Sequence, residues 1–138
     1  MIRTILILII YSIISISQDN FISQYDYGSM LYKNPRGISC VSCHGEYGEG
    51  KEIIRYIDNS DKEVVIKGSD IRDISLKKFH KSLTTRHKVM PTYYLINKEI
   101  IAIYKYIKEK NYRLANPQQI DIEDASIFEY NGEEDIDE

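Results

Sequence analysis

Residues 40–45 read CVSCHG. Cys40 and Cys43 are the only cysteines among 138 residues, and His44 directly follows the second. A Cys40–Cys43 disulfide would close a very short loop, a geometry of redox dithiols rather than of structural staples. A redox dithiol belongs beside a strand–helix unit, and no such pattern surrounds these residues. A structural zinc site needs four ligands. Cys40, Cys43 and His44 offer three, and His80 with His87 would have to supply the rest. Cys-x-x-Cys-His is also the attachment pattern of a c-type haem. Its spacing has a physical reason: two sulfurs form thioethers with the vinyl groups on one porphyrin edge, and the next residue falls under the ring centre. His44 Nε2 then reaches the iron. This reading is favoured over the dithiol.

The start of the chain supports it. MIRTILILIIYSIISISQ has one cation, Arg3, before an uncharged run from Thr4 to Ile16. The run is shorter than the roughly 20 residues of a membrane-spanning helix, and Ser15-Ile16-Ser17 supplies small residues two apart, as a signal-peptidase site requires. Residues 1–17 therefore read as a secretory signal cleaved before Gln18, with an uncleaved anchor as the alternative. Thioether attachment follows export, so signal and motif agree on the periplasm. Composition is that of an ordinary soluble protein, 28% charged and 43% hydrophobic. The net charge of −3 conceals two parts. Residues 18–114 carry 17 Lys and Arg against 12 Asp and Glu, and residues 115–138 carry nine carboxylates and no Lys or Arg.

A haem with one axial histidine leaves a position open. Methionines stand at 1, 30 and 90. Met1 leaves with the signal, and Met30 reads as a packing residue of a first helix. Met90 lies 46 residues beyond His44 in HKVMPTYYL, followed by Pro91, which fixes the backbone after it. A thioether is a soft ligand suited to low-spin haem iron. His87, three residues earlier, is the competing sixth ligand.

GSMLYKNPRGISCVSCHGEYGEGK followed by MPTYYLINKEIIAIYKYI resembles a class I monohaem c-type cytochrome, of the small periplasmic kind found in campylobacter-like bacteria. The resemblance covers roughly residues 24–110. Gly28 and Tyr32 match its N-terminal helix pattern, and Tyr106-Ile107 match the aromatic–aliphatic pair of its C-terminal helix. It implies a mostly α fold, with N- and C-terminal helices packed around one covalent haem c. Cys40 and Cys43 would form the thioethers, with His44 and Met90 as axial ligands. It implies an electron carrier of a respiratory chain rather than an enzyme. The partners would be redox proteins such as a cytochrome oxidase, a peroxidase or a quinol-oxidising complex. No nucleic acid is implied, and no stable membrane insertion once the signal is removed. A haem-based gas-binding sensor and an electron-entry subunit of a larger redox enzyme are the rival functions.

Between Gly50 and Gly68 the sequence departs from that pattern. Apolar segments 53–57 and 63–67 flank the turn cluster Asp58-Asn59-Ser60-Asp61, predicting a small β-hairpin insertion at about 52–67. It either covers a haem edge, shapes a docking surface or decorates a loop. Elsewhere the pattern predicts helices at 21–33, stopped by Asn34-Pro35, at 76–83 after an N-cap at Ser75, and at 98–110 after an N-cap at Asn97. His80 is expected at the surface. Lys77, Lys78, Lys81, Arg86 and Lys88 form a basic cluster before Met90, suited to steering toward an acidic partner or simply a solvated face. The acidic residues 115–138 lack periodicity, which predicts disorder. Ile127, Phe128 and Tyr130 are a candidate docking motif there, and the acidic stretch has the sign to fold back on the basic cluster.

Overall fold

The structure is a computed structural model that describes residues 22–117. The expected signal segment 1–17 and the acidic residues 118–138, with Ile127, Phe128 and Tyr130, lie outside the described residues. The order of elements is α1 (Gln24–Lys33), α2 (Val41–His44), β1 (Glu52–Ile57), β2 (Glu63–Lys67), α3 (Leu76–Thr84) and α4 (Asn97–Ala115). Among the described residues no helix is long and apolar enough to cross a membrane.

α1 starts where Ser23 Oγ accepts the Asp26 amide at 3.0 Å, an N-cap bond that satisfies one orphan donor. Its face of Gly28, Leu31 and Tyr32 is buried against α4. Gly28 is the point of closest approach. A Cβ there would overlap the Ala102 carbonyl and sit 2.7 Å from Tyr106 Cβ. The Tyr106 ring packs between Tyr25 and Tyr32, with centroids 5.1 and 5.6 Å away. Met30 corrects one expectation: it is 59% exposed, because it projects from the side of α1 turned away from this contact.

α4 runs 19 residues, about 28 Å, five residues further than its predicted end. Ile100, Ala102, Ile103, Tyr106 and Ile107 repeat at helical spacing and are buried. α3 lays Leu76, Phe79 and Leu83 on the core, and Phe79 meets Tyr104 with ring centroids 5.6 Å apart. Ser75 caps α3 from Oγ to the Lys78 amide. Asn97 is not the cap of α4. It sits inside the helix, within 3.0 Å of His80 Nε2 through its Oδ1. The exposed Ile96 amide donates instead to Glu99 Oε2 at 3.0 Å, so a carboxylate one turn in caps the helix.

Glu99 also receives both Arg36 guanidinium nitrogens, at 2.8 and 2.7 Å. Arg36 holds φ at 61°, an uncommon backbone region for a non-glycine residue, and Nη2 also donates to the Tyr94 carbonyl. Glu99 is buried, and Arg36 beside it pulls its carboxyl down to about 2 from an ordinary 4.5. A depressed carboxylate stabilises the fold above its unfolded value and loses that contribution as pH falls toward the folded value. Thermal melts should therefore show stability falling between about pH 4.5 and pH 2. The Glu99 share is roughly 2 kcal/mol, allowing for solvent screening of the more exposed Arg36. Glu99→Gln should flatten that part of the profile. An unchanged acid limb would assign it elsewhere.

β1 and β2 pair antiparallel, with Ile54 opposite Ile66 and Tyr56 opposite Val64. These four residues share one face of the hairpin. At the tip, Asp58 Oδ1 accepts the Ser60 and Lys62 amides, the Asx-turn chemistry of that residue type.

Candidate functional site

Cys40 stands at the N-cap of α2, and the His44 amide donates to its carbonyl at 2.8 Å. Positions 40, 43 and 44 are thus i, i+3 and i+4 of one helical turn, which places their side chains on one side. All three line a single cavity of about 370 Å³, and Met90 and Pro91 line it too. Its apolar wall includes Ile71, Ile74, Phe79, Leu83 and Ile103, drawn from α3, α4 and the loop between β2 and α3.

The hairpin base holds the turn in place. The Lys51 amide donates to the Cys43 carbonyl at 2.8 Å, the Gly50 amide to the His44 carbonyl at 2.7 Å, and the Gly68 amide to the Lys51 carbonyl at 2.9 Å. Position 68 must be glycine, because a Cβ there would overlap the Cys43 carbonyl. One residue on, the Ser69 carbonyl lies 2.8 Å from His44 Nδ1. A carbonyl only accepts, so Nδ1 carries a proton, and in the neutral tautomer this sets, Nε2 holds the free lone pair. Outer partners of this kind fix a ligand's tautomer and orientation. Ser69 escaped sequence reasoning: it acts through its backbone, and no side-chain signal marks it.

The thiols differ. Both are free, Cys40 buried and Cys43 partly buried. Burial pushes the Cys40 thiol up to about 12. Such a thiol is a poor thiolate nucleophile, which weighs against a dithiol oxidoreductase. Among the described residues no three His, Cys, Asp or Glu side chains come together as a metal-ligand set, so nothing there assembles four zinc ligands.

Met90 is half-buried and packs on the hydrophobic core. Its loop is braced by Tyr93, whose hydroxyl donates to the Ile38 carbonyl at 2.8 Å, two residues before Cys40. His87 also lines the cavity, but its Nε2 lies 2.9 Å from the Ser82 carbonyl and must donate to it. To ligate through Nε2 it would have to surrender that bond. His80 is not among the lining residues.

The donor set fits a haem: two thiols and an imidazole on one turn, Nε2 free to ligate, a soft thioether on the same cavity, and apolar walls between. Lys88 and Lys67 are the cations among the lining residues. No protein-family model, curated protein or solved structure matches the chain.

Proposed function

We propose that the chain is a periplasmic electron-transfer protein with one covalent haem c, built in the manner of a class I monohaem c-type cytochrome. Cys40 and Cys43 would hold the haem through thioethers, and His44 and Met90 would ligate its iron. The observation that carries this reading is that Cys40, Cys43, His44 and Met90 line one apolar cavity, with His44 Nδ1 bonded to the Ser69 carbonyl. The crossing of α1 and α4 at Gly28, with Tyr32 against Tyr106, supports the fold half of the proposal.

The bound haem supplies a one-electron change at iron. The chain does the rest. The Ser69 carbonyl keeps the His44 proton on Nδ1, so the ligating nitrogen is always presented. With His44 and Met90 both held on the cavity wall, the chain would supply two protein ligands and so keep rearrangement between oxidation states small. Ile71, Phe79, Leu83 and Ile103 exclude water, which disfavours net positive charge in the cavity and raises the potential. Partners are redox proteins such as an oxidase, a peroxidase or a quinol-oxidising complex, met in brief encounters.

Expression with a cytochrome c maturation system tests the proposal. The mature chain should gain the mass of one haem, survive denaturation with it attached, and show a low-spin spectrum. Cys43→Ala should lose one of the two thioethers. Colourless material with the mass of bare polypeptide would overturn it. The gas-sensing alternative draws on the exposure of residues 84–89 beside Met90. Rapid carbon monoxide binding by the reduced wild type would favour it.

A further inference from the structure

The hairpin stands almost alone. Among the described residues β1 and β2 pair only with each other, and the hairpin base is bonded to the attachment turn. Yet both of its sides carry apolar residues in the open: Ile54 is 50% exposed, Ile57 62% and Val65 42%. A lone two-stranded hairpin is marginal in water and gains from further strands. An exposed apolar edge strand is a template for pairing with another chain.

The two edges differ. The register of β1 shifts between Glu52 and Ile54, and an irregularity of that kind discourages edge pairing. β2 runs from Glu63 to Lys67 with no such break. Hydrogen-bonded and non-hydrogen-bonded pairs alternate along an antiparallel ladder. The Asp58 amide donates to the Lys62 carbonyl at 2.8 Å, and the Gly68 amide to the Lys51 carbonyl at 2.9 Å. Positions 62, 64, 66 and 68 therefore bond toward β1, and the amides and carbonyls of Glu63, Val65 and Lys67 face outward.

β2 reads Glu-Val-Val-Ile-Lys, a strand complementary to its own reverse. We propose that its outer edge is a self-association site, pairing antiparallel with β2 of a second copy about a two-fold axis at Val65 and joining two hairpins into one sheet. In that register Glu63 lies opposite Lys67 of the second copy, Val64 opposite Ile66, and Val65 opposite itself. Cross-strand neighbours are then of opposite charge or both apolar, and the axis makes each unlike pair twice. Centring the pairing on Val64 instead would set Glu63 against Val65 and Lys62 against Ile66. Glu63 holds Arg55 through Oε1 at 2.6 Å, which leaves Oε2 for the lysine. Ser69 and Asp70, next along the edge, are exposed, so the tip of the second hairpin has room.

A contact of this length belongs with small, transient interfaces. Lys67 also lines the cavity, and its two copies would stand about 13 Å apart along the strands, bringing two sites into one particle. That consequence rests on the proposed function, whereas the edge pairing does not.

Sedimentation of the mature full chain over a concentration series is the test. A monomer–dimer equilibrium with a dissociation constant between about 1 μM and 1 mM is expected. Lys67→Glu and Glu63→Lys each set like charges opposite one another and should each weaken the dimer about tenfold. An equal mixture of the two variants should recover wild-type association, because each then meets the other's opposite charge. Val65→Pro removes an outward amide that β1 does not use, so it should abolish the dimer and leave the melting temperature close to wild type. A chain still monomeric at about 1 mM, a dimer that withstands Val65→Pro, or a charge mixture that associates no better than its components would each overturn the proposal.

Discussion

Gly28→Ala is expected to destabilise the protein by about 2–3 kcal/mol, against the ordinary rule for a helix interior. Alanine in place of glycine within a helix normally gains about 0.5–1 kcal/mol. Here the added methyl would overlap the Ala102 carbonyl and crowd Tyr106 Cβ. Neither neighbour can rotate away: one is backbone of a buried helix and the other is a Cβ fixed to it. Relief requires α1 and α4 to separate, which also loosens the stack of Tyr25, Tyr106 and Tyr32. Overpacking of a tight core costs typically 1–3 kcal/mol and occasionally more, so the clash outweighs the propensity gain. A domain of this size should then melt about 10–20 °C lower. An equal or higher melting temperature would mean that the helices cross elsewhere or more loosely.

On the proposed function, Met90→Ala should leave a haem covalently attached but without its sixth protein ligand. The far-red band of methionine-ligated ferric haem should disappear, and the reduced protein should bind carbon monoxide rapidly. The reason lies in the alternatives. His87 has its Nε2 held by the Ser82 carbonyl, and His80 is engaged with Asn97 outside the cavity lining. Neither is free to take over without breaking a bond. Since Met90 is half-buried, the packing cost should be modest, roughly 1–2 kcal/mol, below the 2–5 of a fully buried methionine. His87→Ala should leave the spectrum unchanged. If His87→Ala abolishes the low-spin spectrum and Met90→Ala does not, the distal ligand is the histidine.

The sequence was most readable where the governing physics is local. Ser75, one residue before an apolar stripe, marked the start of α3, and Asp58-Asn59-Ser60-Asp61 between two apolar runs marked a hairpin tip. Cys40, Cys43 and His44 were legible because their spacing is the signal. What stayed hidden depends on partners far along the chain. Arg36 and Glu99 are 63 residues apart, and nothing at either position announces the other. A trace did exist: Glu99 is the one carboxylate between Asp73 and Glu109, and it stands one turn into a helix, where a side chain can cap. The Ser69 carbonyl had no trace at all. Met30 misled because apolar character alone does not say which side of a helix faces the core.

The hairpin is joined to the attachment turn through its base, by the amides of Gly50 and Lys51 and the carbonyl of Ser69. Its tip at 58–61 stands a strand length away, about 20 Å at the usual rise. The two ends therefore tolerate engineering very differently. A tether to an electrode or a dye grafted at Asn59-Ser60 would leave Cys40, Cys43, His44 and Met90 where they are. A single residue inserted between Lys67 and Ser69 would slide the Ser69 carbonyl off the His44 imidazole and leave that ring without its anchor.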